Sequence, residues 1–256
     1  MARLGIQTII FGPRSREDFP GVLRDIKAAG YDGAEIGNPT DATPAEEVRA
    51  RFDAAGLACC GYHTGYDTFR DAAALERIAT HLRAVGGRYL MCSGTEGRDR
   101  DAYLRSAETF DRAGRVLREN GVTFCYHNHN WEFFDLDGTG QRGIHLLAEN
   151  TDPDLVKLCI DVYWVACAGE DPVAFIRRYA DRAAYFHYKD GTFDAAEQQP
   201  LTFTELGRGQ VDLRAATEAV RALDPEWIVT EQDRTERDPA ESARISAAFA
   251  RDELGL

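Results

Sequence analysis

Ten side chains able to ligate a metal, move a proton or donate a hydrogen bond stand at the downstream ends of short apolar runs. They are Gln7, Glu35, His63, His127, His129, Asp161, His187, Lys189, Glu231 and Asp233, and they include four of the six histidines. Residues two apart in an extended segment share a face, so His127 pairs with His129, His187 with Lys189, and Glu231 with Asp233. Carboxylates and imidazoles gathered at one place are costly to desolvate unless a cation compensates them. One divalent metal held by mixed oxygen and nitrogen donors is the economical solution. Mn²⁺, Mg²⁺, Co²⁺ and Zn²⁺ all suit that mixture of donors, and the residues do not select among them.

The elements that must position these residues are legible as alternation. Apolar runs at Leu4–Ile10, Tyr31–Ile36, Leu57–His63, Arg88–Cys92, Val122–His129, Val156–Val162, Ala183–Tyr188 and Trp227–Glu231 read as strands. Between them lie helical patterns such as Phe19, Val22, Leu23 and Ile26, stopped at Gly30. Thr43-Pro44-Ala45-Glu46 and Asp238-Pro239-Ala240-Glu241 read as capping boxes, and Asp171-Pro172 as a cap followed by proline. Strands separated by helices run parallel, and eight such units in this length predict a (β/α)₈ TIM barrel as a single domain over 1–256. In that fold chemistry sits at the C-terminal ends of the strands, where the ten residues fall. The longest interruption, Asp190–Gln210, is then an active-site loop between the last two strands. The first unit carries neither G-x-G-x-x-G nor a P-loop for nucleotide phosphates.

Composition narrows the partners. With 44% hydrophobic and 29% charged residues the chain is an ordinary globular one. Its net charge of −13 argues against nucleic acid and anionic membranes, which call for a basic surface. No stretch has the length of a membrane span and the N-terminus lacks a signal-peptide pattern, so a cytoplasmic location is the expectation. The six cysteines form no C-x-x-C and are expected as buried, reduced thiols. Only three of the 30 basic residues are lysines, Lys27, Lys157 and Lys189, and the last stands two residues from His187. An ammonium can do proton chemistry that a guanidinium does poorly.

Four segments carry a resemblance: Tyr126-His127-Asn128-His129-Asn130-Trp131-Glu132-Phe133, Ile160-Asp161-Val162-Tyr163-Trp164, His187-Tyr188-Lys189-Asp190 and Glu231-Gln232-Asp233. Together they resemble the sugar phosphate isomerase/epimerase family, with its xylose-isomerase-like TIM barrel, in a subgroup with His-Asn-His on strand five. The resemblance implies a single divalent metal held by Glu132, Asp161, His187 and Glu231, with His127 or His129 as the substitute on strand five. It departs from the free-ketose 3-epimerases, which place a Glu inside strand five and a His where Trp164 stands here. It implies isomerisation, epimerisation or β-elimination on a keto-sugar, keto-inositol or 3-keto-glycoside, begun by proton abstraction beside a carbonyl through a metal-stabilised enediolate. Barrels of this kind often pair as homodimers, and a sugar oxidoreductase of the same pathway is a candidate partner.

In that reading Glu231 or His129 is the base, and Lys189 donates to the developing oxyanion or a leaving hydroxyl. Glu35, His63 and His127 bind sugar hydroxyls, with Trp164 and Trp131 as an apolar wall; Glu35 has the alternative of an internal salt bridge within the barrel. His81 and His145 are expected at the surface, Arg98–Asp101 as a solvated loop or helix start, and Trp227 in the core. Two competing readings are an apurinic endonuclease-like phosphodiesterase of the same barrel lineage and a non-catalytic sugar-binding accessory subunit.

Overall fold

A computed structural model describes residues 2–256. Eight parallel strands close into a barrel in chain order, the last pairing with the first. They are β1 (Arg3–Gln7), β2 (Gly33–Gly37), β3 (Ala58–Gly65), β4 (Tyr89–Ser93), β5 (Thr123–His127), β6 (Val156–Asp161), β7 (Ala183–Tyr188) and β8 (Trp227–Thr230). Around them lie α1 (Phe19–Ala28), α2 (Ala45–Ala55), α3 (Ala72–Val85), α4 (Arg100–Glu119), α5 (Gly143–Glu149), α6 (Pro172–Arg178), α7 (Leu213–Arg221) and α8 (Pro239–Asp252). The expected (β/α)₈ barrel is therefore the observed fold. No helix among the described residues is long and apolar enough to cross a membrane.

Local chemistry explains most boundaries. In α1 the buried face is Phe19, Val22, Leu23 and Ile26, as the spacing predicts, and Asp18 accepts from the Gly21 amide at 3.0 Å to cap it. Asp238 and Asp171 cap α8 and α6 with proline at the first turn. The box at Thr43 does not form: α2 begins at Ala45 after Pro44 with no side-chain cap. The Thr43 carbonyl instead accepts from His81 Nε2 at 2.8 Å, and His81 Nδ1 meets the Tyr62 hydroxyl at 3.0 Å. His81 is thus buried between α3 and the β2–α2 loop, not at the surface as expected.

Inside the barrel the period of two stacks an apolar floor beneath the polar mouth. Cys125, Cys159, Tyr185 and Val229 belong to one buried cluster, and each stands two residues before His127, Asp161, His187 or Glu231. Trp227 closes the bottom, 2% exposed, with the Arg3 guanidinium 4.1 Å above its ring. Gly33 leaves room for it, since a Cβ there would lie 2.7 Å from the indole and 2.6 Å from the Ala58 carbonyl. All six cysteines are buried and unpaired by disulfides. That layer is buried, and it supports the mouth from below.

Candidate active site at the barrel mouth

Register brings the polar strand ends together. Gln7 pairs with Glu35 across β1–β2, Ser93 with His127 across β4–β5, and Asp161 with His187 across β6–β7. Glu35 shares the inward face of β2 with Gly33, whose Cβ would meet Trp227 and Cys60 of the interior, and the pairing with β3 skips Cys60 beside it. One atom each from His127, Asp161, His187 and Glu231 lies within 4.8 Å of the others, and all four residues are buried.

Asp161, His127 and His187 are each held by a contact outside the four, which leaves one donor atom for the cluster. Asp161 Oδ1 accepts from the amides of Tyr163 and Trp164 at 2.9 and 3.1 Å, capping the short helix Val162–Cys167. Its Oδ2 is buried with no hydrogen-bond partner, and His127 Nε2 is likewise unsatisfied. These two atoms lie 3.5 Å apart, and His127 Nε2 is 3.3 Å from Glu231 Oε2. The Asn128 amide fixes the seam between β5 and β6, donating to the Asp161 carbonyl at 3.3 Å and accepting from its N–H at 3.0 Å. His187 bridges two carboxylates, with Nδ1 2.6 Å from Glu231 Oε2 and Nε2 2.7 Å from Glu35 Oε2. An imidazole whose far nitrogen meets a buried carboxylate is the arrangement that orients metal-binding histidines. Orphaned atoms on His127 and Asp161, a mixed oxygen and nitrogen donor set, and this carboxylate behind His187 all fit a divalent cation.

Several expected roles are redistributed. Glu132 does not join the cluster. It is wholly buried, its Oε1 accepts from the Tyr126 hydroxyl at 2.6 Å, and its Oε2 accepts from the His129 amide at 2.7 Å. The strand-five position belongs to His127, placed by sequence among the substrate-binding residues and as the substitute ligand. Glu35 is not open to a sugar hydroxyl. It is 0% exposed, and its oxygens meet His187 and, at 2.9 Å, His63 Nδ1, which is the internal bridge named as its alternative. His63 passes the chain on, with Nε2 2.5 Å from Ser93 Oγ, and Ser93 Oγ lies 3.3 Å from His127 Nδ1. Ser93 was missed by sequence reasoning, although its place at the end of β4 was the available signal.

Lys189 is 0% exposed, with Nζ 3.0 Å from Asp233 Oδ2, 3.5 Å from Asp161 Oδ2 and 3.6 Å from Glu231 Oε2. The ammonium also lies 4.8 Å from the Trp164 ring centre and 5.5 Å from that of Phe203. Trp164 flanks His129, whose ring stacks on Trp131 at 3.9 Å and 13°. Arg98, expected in a solvated loop, has its guanidinium 4.5 Å from Trp131 and backs the stack. His129 Nδ1 is buried without a partner. His145 is partly buried against the Tyr179 hydroxyl at 2.5 Å, away from the mouth.

The electrostatics follow from these contacts. Burial opposes charge on Glu35, but His187 and His63 outweigh it and hold the carboxyl at about 2. Burial likewise opposes ionisation of Glu231, yet Lys189 and His187 keep it well below the usual carboxylate range. Burial would neutralise Lys189, but Glu231, Asp161 and Asp233 raise it above its ordinary value, so it keeps its proton. Burial, with His127 and Lys189 nearby, depresses His129 well below the ordinary histidine value, leaving it neutral.

Two loops roof the mouth. Asn130, after β5, donates to the Gln198 carbonyl at 2.7 Å, in the segment after β7. That segment contains a small antiparallel ribbon, Phe193–Asp194 with Gln199–Pro200, and is organised by the buried Asp190. Asp190 Oδ1 accepts from the amides of Gly191 and Val211, and Oδ2 from those of Gly207 and Gly209. A Cβ at Gly209 would lie 2.1 Å from Asp190 Oδ1, so only glycine allows this approach.

A closed parallel barrel with a buried ionic cluster at its C-terminal mouth defines a (β/α)₈ protein with an enzyme-type site. The chain belongs to the xylose isomerase-like TIM barrel family, whose profile matches residues 23–253. An inosose dehydratase of Lacticaseibacillus casei is 31% identical over 158 residues, 56% of this chain and 50% of that protein, so the match spans about half of its length. An inosose dehydratase of Geobacillus kaustophilus (strain HTA426) is 27% identical over 284 residues, covering 93% of this chain and 88% of the relative. Among solved structures, a sugar phosphate isomerase/epimerase from Parabacteroides distasonis ATCC 8503 superposes with a TM-score of 0.84 at 21% identity, covering 99% of this chain and 95% of that one. The last likeness is one of fold.

Proposed function

We propose that the chain is a divalent-metal-dependent enzyme that removes a proton beside the carbonyl of a keto-inositol, keto-sugar or 3-keto-glycoside. The reaction then ends in isomerisation, epimerisation or loss of a β-hydroxyl as water. The observation that carries this is the convergence of His127, Asp161, His187 and Glu231, with unsatisfied buried atoms on two of them. The relatives named as inosose dehydratases favour the dehydration branch.

His127, Asp161, His187 and Glu231 would hold the cation, with Mn²⁺ the first to test. Bound there, a divalent cation supplies the positive charge that makes a carbon acid beside a ketone ionisable by a side-chain base. Glu35 acts from behind, fixing the His187 ring through Nε2. Lys189, held charged by three carboxylates, donates to the oxygen that gains charge. His129, its ring fixed by Trp131 and its Nδ1 unpartnered, takes the proton from carbon. It returns that proton either to carbon or to the departing hydroxyl, which leaves as water and closes the balance. Glu231 is the alternative base, because its contacts with His127, His187 and Lys189 all run through Oε2. Trp164 and Trp131 offer a wall to the ring of the substrate. A keto group is required at the outset, so a keto-inositol or 3-keto-glycoside would have to be supplied by an oxidoreductase acting on the parent polyol or glycoside, whereas a ketose carries its carbonyl already.

The test is deuterium incorporation beside the carbonyl of 2-keto-myo-inositol and of methyl 3-keto-β-D-glucopyranoside in D₂O, with Mn²⁺ supplied. Exchange is expected to fall at least about 100-fold on removal of metal or in Asp161→Asn, on the scale of general-base and Lewis-acid contributions. Comparable loss in His129→Gln, with metal-loaded Glu231→Gln keeping exchange, would assign the base to His129, and the reverse outcome would assign it to Glu231. Undiminished exchange by metal-stripped protein sinks the reading.

A further inference from the structure

An open groove of about 1080 Å³ runs from the barrel mouth outward over the loops that follow β1 and β2. Its inner end is His63, whose Nδ1 holds Glu35 and through it His187. Its outer end reaches Phe19 on α1 and Arg51 on α2, in the helical layer around the barrel. The groove thus crosses from the strand ends to the outer layer, and the His63 ring at its inner end lies 5.3 Å, centre to centre, from that of His127 in the cluster. Its volume slightly exceeds the range of about 300–1,000 Å³ found for small-ligand pockets. None of the four cluster residues lines it, so a six-membered ring anchored at the cluster leaves the groove free.

The lining matches a second sugar ring in character. Ile9 is 42% exposed, one of three large apolar side chains so exposed among the described residues, and it lines this groove with Pro13 and Pro39. Those surfaces suit the C–H face of a ring, while Ser15, Asn38 and Thr43 bring polar groups for its hydroxyls. Charge argues for a neutral occupant. Arg51 pairs with Glu47, and Arg16 lies next to Glu17 in sequence, so no excess of positive charge awaits a phosphate or carboxylate. We propose that this groove is an outer subsite for a neutral sugar ring linked to the reacting keto ring. Of the classes open to the proposed reaction, on which this inference rests, the substrate is then a keto-glycoside of two rings.

The test compares 3-keto-cellobiose, carrying its keto group on the non-reducing ring, with methyl 3-keto-β-D-glucopyranoside on the full-length protein with Mn²⁺. Equilibrium affinity is read by calorimetry and enolisation by deuterium exchange. The two-ring ligand is expected to bind at least tenfold more tightly. Ala42→Trp, at an exposed position in the outer groove, is expected to shrink that gap to within twofold, and Ile9→Ser to narrow it by about threefold. Equal affinities for the two ligands, no binding by either, or a tenfold gap surviving both substitutions would overturn the subsite. Preferential binding of 3-keto-cellobiose without deuterium exchange would keep the subsite and overturn the proposed reaction.

Discussion

At the scale of single residues, side chains at the mouth are braced from behind, Asp161 by the Tyr163 and Trp164 amides and His127 by Ser93. His187 shows this best, with Glu231 on one nitrogen and Glu35 on the other. Sequence spacing places Glu35 at a strand end but is silent on whether it faces substrate or protein; the imidazoles of His187 and His63, from β7 and β3, decide that. A buried carboxylate behind a metal-binding histidine fixes the tautomer and makes the imidazole a stronger donor, and its loss lowers metal affinity by about 10- to 100-fold. Glu35→Gln keeps the volume and removes the charge. We expect it to weaken Mn²⁺ binding within that range, measured by competition with a chelating dye, and to lower exchange in parallel at subsaturating metal. Unchanged metal affinity would assign Glu35 a structural role only. The same logic explains why Glu132 was misplaced from sequence. An acid three residues beyond His129 has the right type for a ligand, but the turn Trp131–Phe133 folds it back under the strand, where Tyr126 and the His129 amide take both oxygens.

At the scale of elements, the strands were legible because inward and outward positions alternate, and the helices because their buried faces recur with helical spacing. What escaped reading depends on partners distant in sequence. Thr43 is no cap because Pro44 itself takes the cap position and the helix starts one residue later, and His81 left the surface for its contact with the Thr43 carbonyl. Asp190 follows Lys189 in the motif and reads as one more acid near a site, yet its function is to fold the loop after it. Its four accepted hydrogen bonds reach residues up to 21 positions away. Asp190→Asn keeps the shape but turns a donor toward amides that are themselves donors. Since hydrogen bonds to charged groups contribute about 1.5–3 kcal/mol each and are not additive, a loss of about 2–4 kcal/mol is expected in urea unfolding. Cleavage by a nonspecific protease should rise within 190–211, because that segment loses its organising centre. A stable variant with an unaltered cleavage pattern would show that the ribbon and the Asn130–Gln198 contact suffice.

At the scale of the whole molecule, the cluster draws His127, Asp161, His187 and Glu231 from β5, β6, β7 and the end of β8, while Glu35 joins from β2. A cation there would tie consecutive strands on one side of the barrel to each other, and His187 would carry the constraint across the mouth to β2. Such a site is not preserved when the barrel unfolds, so binding energy becomes folding energy. The chain as a whole carries a net charge of −13, and compact states bearing a large excess of one sign repel themselves. Metal uptake therefore works with a global electrostatic bias as well as a local one. At Mn²⁺ about 100-fold above its dissociation constant, mass action adds about 2.7 kcal/mol. For a chain of this size each kilocalorie moves the melting temperature by about 2–4 °C, so a rise of about 5–10 °C is expected in calorimetry. The rise should be absent in Asp161→Asn and unaffected by Ala42→Trp, which lies in the outer groove far from the donor atoms in sequence and element. A melting temperature indifferent to metal in the unaltered protein would remove the cation from the site and leave Lys189 as the compensating charge among its carboxylates.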